Sequence, residues 1–476
     1  MSENKLQNEK HTKQISEYID NRKNEMLADI ARLIAIPSVR GEAEADAPFG
    51  KYPKAALKEA LSICEKYGFK TKCIENAIGY ADMNDGELEL GILAHMDVVP
   101  AADGWISDPF EMTEKDGIIY GRGVSDDKGP AIAALYAMRA IKECGIKLKK
   151  NVRLILGSDE ECGSGDLKYY FDNEKAPAYC FSPDAEFPLI NTEKGRFAPR
   201  FSASVNDGEG IKPRVVYFNS GSAVNAVPHF AEMKLFGAEG ASVESACEAV
   251  TKKTGVTFTV SYENDTVTVQ AKGKAAHASL PTDGCNALTG MLTLINMLAL
   301  PACEGTKIFE ALNKLFPHGE CDGSSMGLAM NDSVSGALTL SLNVLKFDGN
   351  SFDGYFDSRM PVCADDIDVV SLTREKLSEY GIMITEENRT LSHHVDESLP
   401  FIRTLLSSYE KFTGKKGECM AIGGGTYVHE IKNGVAFGCI MPEIDTRMHG
   451  ANELMPVEDL LISAKIFANA IIEICG

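Results

Sequence analysis

Apolar residues at Ile19, Met26, Leu27, Ile30, Leu33 and Ile34 recur at helical spacing, and Pro37 marks where that helix is expected to stop. A second amphipathic helix is predicted over residues 53–67, closed by Gly68. The period then changes. Residues 88–93 form a short, mainly apolar run that reads as a buried strand, ending in His95-Met96-Asp97. Residues 151–156 form another, ending in Gly157-Ser158-Asp159-Glu160-Glu161, and an Ala-rich helix is predicted between the two over residues 130–144. Strand, helix, strand with polar residues at the strand ends is the pattern of an α/β sheet, whose ligands sit beyond the carboxyl ends of its strands.

After about Pro188 the texture shifts to alternation. Residues 256–262, 266–271, 337–347 and 351–360 read as antiparallel strands with one wet face, and helices are predicted at 242–254, 287–300 and 366–380. From Pro400 the α/β texture returns, with a helix to Phe412, a glycine turn at Gly423 to Gly425, a strand near 435–440 and a last helix over 457–472. The expected architecture is therefore α/β: a central, mostly parallel sheet flanked by helices, built from residues 1–188 and 398–476. An inserted α+β domain with antiparallel sheets, residues 189–397, interrupts it.

Composition narrows the ligands. The chain has 476 residues, enough for two or three domains, and its 44% hydrophobic and 25% charged content is ordinary for a globular protein. Its net charge of −21 argues against nucleic acid or an anionic membrane as partner and leaves small molecules and cations. Thirteen cysteines without a CxxC pair fit a reducing compartment. The first residues lack an apolar signal core, and the longest apolar stretch, 288–302, is broken by Thr, Asn and Pro. A soluble, cytoplasmic protein is expected.

The polar residues at the α/β strand ends form one set with the late His449: His95, Asp97, Asp126, Asp127, Glu160, Glu161 and Asp184. Imidazole nitrogen and carboxylate oxygen are the ligands of zinc or manganese, and two cations about 3.5–4 Å apart need a shared carboxylate with terminal ligands on each side. The inventory suffices for two metals. Taken singly, His95 reads as a structural histidine and the acidic pairs as solvated loop residues, so spacing alone leaves both interpretations open.

Context separates them. Ala94-His95-Met96-Asp97-Val98-Val99-Pro100, then Gly121-Arg122-Gly123-Val124-Ser125-Asp126-Asp127-Lys128-Gly129, then Asp159-Glu160-Glu161-Cys162-Gly163-Ser164, then Ser182-Pro183-Asp184-Ala185, and late Met448-His449-Gly450-Ala451-Asn452-Glu453 follow in order. Together they resemble the signature of the co-catalytic zinc peptidases, the family of carnosinase, carboxypeptidase G and aminoacylase, and within it the PepV-type dipeptidases. The resemblance spans almost the whole chain. It implies that Asp126 bridges two divalent metal ions, with His95 and Asp184 completing one position and Glu161 and His449 the other. Zinc is the expected metal, and manganese and cobalt share the donor preference. It places Asp97 beside the metal, where its carboxylate can accept the other N–H of His95. A direct ligand role for Asp97 is the alternative. Glu160 matches the general base that acts on a metal-activated water.

The inserted region adds its own residues. Gly273-Lys274-Ala275-Ala276-His277-Ala278-Ser279 resembles the lid motif of the family, whose histidine donates to the oxyanion. By the same resemblance Asn225 and Arg359 hold the terminal carboxylate of the substrate, and a guanidinium fork suits that task. As bare residues, Arg359 also reads as a solvated strand charge and Asn225 as a turn residue before Val-Pro. Gly423-Gly424-Gly425-Thr426 can present backbone N–H groups to an anion, which makes Gly425 and Thr426 substrate-binding residues, or it is a plain tight turn. PepV-type chains carry an arginine shortly after this turn, whereas this chain has Val428-His429-Glu430. His11, His229, His318, His393 and His394 lack motif context and receive no role.

The long insertion resembles the doubled lid of the PepV type, so a catalytically complete monomer is expected, with His277 and Arg359 reaching the metals by domain closure. The expected activity is a metal-dependent dipeptidase acting on short, unblocked peptides. An N-acyl amino acid deacylase or desuccinylase is the enzymatic alternative. A non-catalytic relative is disfavoured because every ligand and base position is filled.

Overall fold

The computed structural model describes residues 3–208 and 210–476, with side chains from residue 10. The chain divides into two units, the first comprising Met1–Thr192, His394–Met420 and Gly425–Gly476, the second Glu193–His393 and Ala421–Gly424.

In the first unit the middle of the sheet is parallel. Asn151–Gly157 pairs with Leu88–His95, which pairs with Tyr179–Ser182, which pairs with Gly434–Ala436. Lys70–Ile74 and Ile78–Asp82 continue it antiparallel at one edge. Parallel strands are buried on both faces, which is why these segments are mainly apolar rather than alternating. Leu90, Ile92, Leu93 and Ala94 are all fully buried. Two helices, Lys128–Glu143 and Val457–Cys475, pack in the same core, and the small Ala133, Ala134 and Ala137 on the first permit a close approach. Phe181, Phe187, Phe437 and Phe467 interlock beneath the sheet with ring centroids 5.0–6.3 Å apart. The register His95↔Gly157 aligns the carboxyl ends of two strands. Residues 95–97, 157–161 and 182–184 therefore emerge on the same edge.

Three local differences from the sequence reading have physical causes. The first predicted helix is two, Glu3–Asp20 and Lys23–Ile34. The Asp20-Asn21 pair is a poor helix former, and the seven-residue step from Ile19 to Met26 preserves the apolar period across the break. The predicted strand near 435–440 is interrupted, Gly434–Ala436 and Cys439–Ile440 being separated by a bend at Gly438, φ +79°. Two helices were absent from the sequence reading, Asp166–Asn173 and Glu304–Leu315, the latter burying Ile308, Phe309, Leu312 and Leu315.

The second unit is built on a ten-stranded sheet. Two runs of strand, strand, helix, strand, strand follow each other. The first is Arg214–Ser220, Phe230–Phe236, Gly240–Thr254, Thr257–Glu263 and Thr266–Lys272. The second is Thr339–Phe347, Ser351–Met360, Val369–Ser378, Met383–Glu386 and Arg389–Thr390. Their leading strands meet antiparallel, Phe218↔Phe347, and join the halves. Alternation is plain in Phe230–Phe236, where Ala231, Met233 and Leu235 turn into a core shared with Leu288, Leu292 and Phe309.

Candidate active site

His95 closes its strand with a fully buried ring. Its Nδ1 lies 3.0 Å from the Asp97 backbone carbonyl and 3.4 Å from Asp97 Oδ1. On the other side, Nε2 lies 2.9 Å from Asp126 Oδ1 and 3.5 Å from Asp184 Oδ2. The His95 backbone N–H donates to Asp127 Oδ2 at 3.0 Å.

Asp126 sits on the turn that runs into the helix Lys128–Glu143. At Gly129 a Cβ would collide with the Val124 carbonyl oxygen, so the tight turn requires glycine there. Asp126 Oδ2, the second oxygen, lies 2.9 Å from His449 Nε2, which is also 3.3 Å from Glu161 Oε2. Glu160 and Glu161 occupy the short 3-10 turn after Asn151–Gly157. Their two backbone N–H groups donate to Asp97 Oδ1 and Oδ2, each at 3.2 Å. The carboxylate of Asp97 thus holds the glutamate turn, while its backbone carbonyl is the nearer acceptor for His95.

The seven sequence-predicted residues His95, Asp97, Asp126, Glu160, Glu161, Asp184 and His449 come together in the first unit. Electrostatics follow from crowding. Burial pushes Glu160 well above the usual carboxylate range, against the pull of His95 and with the charges of Asp184, Asp126 and Glu161 adding to it. Burial works the same way on Asp126, but the His449 and His95 rings overcome it and hold this carboxyl low. Asp126 and Glu161 raise His449 to about 11.

This cluster fits divalent cations. His95, Asp126 and Glu161 each offer a ligand atom within 4.8 Å of one another, as do His95, Glu160 and Asp184. Glu161 Oε1 is buried without a hydrogen-bond partner, which is costly for a polar atom unless a ligand satisfies it. Imidazole and carboxylate are the donors of zinc and manganese.

The second unit gathers the other residues. Ala226–Val227 pairs with Ala276–His277, and the Ala278 N–H donates to the Asn225 carbonyl at 2.9 Å, so Asn225 and His277 share one exposed ribbon. His277 Nδ1 lies 2.6 Å from Ser279 Oγ. Arg359 is buried in Ser351–Met360, donating from Nε to Asp357 Oδ1 at 2.6 Å and from Nη1 to the Gly423 carbonyl. Asp357 also accepts from Arg196 Nε at 2.7 Å. Gly425 and Thr426 belong to the first unit, where the Thr426 hydroxyl caps the four-residue 3-10 turn Tyr427–Glu430.

Several supporting residues carried no assigned role in the sequence reading. Glu453 and Arg122 lie inside quoted motifs, which was their only signal. Asp166 accepts from the Ser158 and Asp159 amides and from Tyr427, and Arg40 pairs with Asp159, from positions that no motif marks.

Comparison with known proteins identifies the lineage. The model of peptidase family M20/M25/M40 matches residues 91–473. The chain belongs to this family. The M20 chain is 34% identical over 463 residues to the Beta-Ala-Xaa dipeptidase of Lactobacillus delbrueckii subsp. lactis, covering 96% of this chain and 97% of that one. Among solved structures, human carnosine dipeptidase 1 aligns with a TM-score of 0.59 at 15% identity, covering 98% of each chain. Dug1p from Saccharomyces cerevisiae aligns with a TM-score of 0.57 at 14% identity, covering 97% of this chain and 98% of that one. These two likenesses concern the fold, which is the α/β fold with an inserted α+β domain expected from the hydrophobic pattern. This M20 peptidase is accordingly a hydrolase. Among the described residues, no helix is long and apolar enough to cross a membrane.

Proposed function

We propose that this M20 peptidase is a metal-dependent dipeptidase that removes the N-terminal residue from short, unblocked peptides, with Glu160 as general base. The observation that carries the reading is Asp126, whose two carboxylate oxygens each lie 2.9 Å from a different histidine. A carboxylate aimed both ways is what two cations about 3.5–4 Å apart need between them. On this reading His95, Asp126 and Asp184 would hold one divalent ion, and Asp126, Glu161 and His449 would hold the other, zinc before manganese or cobalt. When bound, such a pair lowers the pKa of water and polarises the scissile carbonyl. Glu160 takes the proton of the attacking water and returns it to the leaving amine. Asp97 keeps the glutamate turn fixed through two amides. Asn225, Arg359, Gly425 and Thr426 bind substrate, and His277 donates to the oxyanion. The relative named for Beta-Ala-Xaa dipeptidase supports a dipeptide substrate. Thirteen free cysteines support a reducing, cytoplasmic setting.

The test uses chelator-stripped protein re-supplied with zinc, manganese or cobalt and assayed against dipeptides, a tripeptide and an N-acyl amino acid. Metal-dependent turnover of dipeptides is expected. Hydrolysis of the N-acyl amino acid alone would contradict the reading.

A further inference from the structure

The loop that carries His449 has an unusual backbone. Arg447, His449 and Asn452 all lie in the left-handed region, at φ +55°, +61° and +58°, which is uncommon for side-chain-bearing residues. Asn452 supplies one restraint, its Oδ1 accepting the Ile106 N–H at 2.8 Å and its Nδ2 donating to the Gly104 carbonyl at 3.1 Å, and Glu453 supplies another. Its fully buried carboxylate accepts, at Oε1, the N–H groups of Gly123, Ser125 and Asp126 at 3.1, 2.9 and 3.2 Å, together with the Ser125 hydroxyl at 2.9 Å. At Oε2 it takes Arg122 Nη1 at 2.7 Å. Arg122 reaches back from Nη2 to the Gly450 carbonyl at 3.0 Å, one residue past His449. Its guanidinium also lies over the ring of Trp105, 5.4 Å from the centroid. One carboxylate therefore ties the backbone of Asp126 to the loop of His449, two segments more than 300 residues apart in sequence.

We propose that Glu453 is a positioning residue for the cation held by Asp126, Glu161 and His449: it sets the reach of His449 toward Asp126. The inference rests on the two-cation reading above. The other cation shares Asp126 but draws its remaining ligands, His95 and Asp184, from the ends of sheet strands, whose placement the sheet itself fixes. Loss of Glu453 should therefore separate the two affinities. Glu453→Gln keeps the shape but sets an NH2 group among donors, where only an acceptor fits.

The experiment titrates the stripped full-length chain with manganese alone and follows electron paramagnetic resonance. A single bound manganese gives a six-line spectrum, whereas two that share a carboxylate couple and lose it. Wild type should reach the coupled spectrum at about two equivalents. Glu453→Gln should keep the six-line spectrum to higher manganese, its second binding event weakened by about 10–100-fold and its first weakened less. Fluorescence of Trp105, the single tryptophan, follows the same second event. Arg122→Lys, which gives up the bond to Gly450, should show a smaller weakening in the same direction, and it keeps the test open should Glu453→Gln fail to fold. Coupled spectra in both variants at wild-type manganese, or an equal weakening of both ions, would overturn the proposal. A wild type that never couples would overturn the two-cation reading instead.

Discussion

Asp97 lies two residues after His95, close enough in sequence for its carboxylate to be expected on the histidine ring. Its Oδ1 does lie 3.4 Å from the ring, although the backbone carbonyl is nearer, and its two carboxylate oxygens also receive the amides of Glu160 and Glu161. Sequence proximity made the first contact visible and not the second. The five proposed ligands and Glu160 were legible because each sits in a contiguous motif at a strand end or turn. Arg40 was not, because its partner Asp159 is 119 residues away and no period links them. The role of Glu160 is checked by Glu160→Ala. The variant should keep its metal content by elemental analysis and lose turnover by about 10²–10⁴-fold, the share usual for a general base. Retention of most activity would reassign the base.

At the scale of elements, buried strands were the clearest signal, since Leu88–His95 and Asn151–Gly157 are mainly apolar. The break between Glu3–Asp20 and Lys23–Ile34 was hidden because both helices use one continuous apolar face. Turns were the least legible, and Asp332 shows why. Its carboxylate accepts the amides of Val334 and Ser335 at 2.9 and 2.6 Å, and that of Cys363 at 2.9 Å from 31 residues away. Partial burial works to raise its pKa, but these bonds dominate and lower it to about 2. The folded value lies below the unfolded one of about 3.9, so the stabilisation is present above pH 4 and fades as pH falls toward 2. Asp332→Ala should cost about 1–2 kcal/mol near neutral pH, with a smaller difference from wild type at pH 3. Urea unfolding of both proteins at each pH measures it. A difference that grew on acidification would contradict the assignment.

For the whole molecule, the interruption of an α/β sheet by an alternating α+β region was visible because buried parallel strands and half-wet antiparallel strands differ in period. The return of Ala421–Gly424 to the second unit was not visible, since it depends on the Ile422 carbonyl accepting from Lys194 and the Gly423 carbonyl from Arg359. From the two successive strand-strand-helix-strand-strand halves in one chain we propose a catalytically complete monomer. Sedimentation of the active protein should give a single monomeric boundary, and activity lost on dilution of a dimer would refute it. The net charge of −21 has part of its cause in the acids gathered around Asp126, and two divalent cations would offset four of those charges. The account stands most directly on the number of those ions. Stripped protein titrated with zinc while dipeptide hydrolysis is followed in the same sample should gain activity up to about two equivalents per chain and then level off. Full turnover at one equivalent, or in the stripped protein itself, would contradict it.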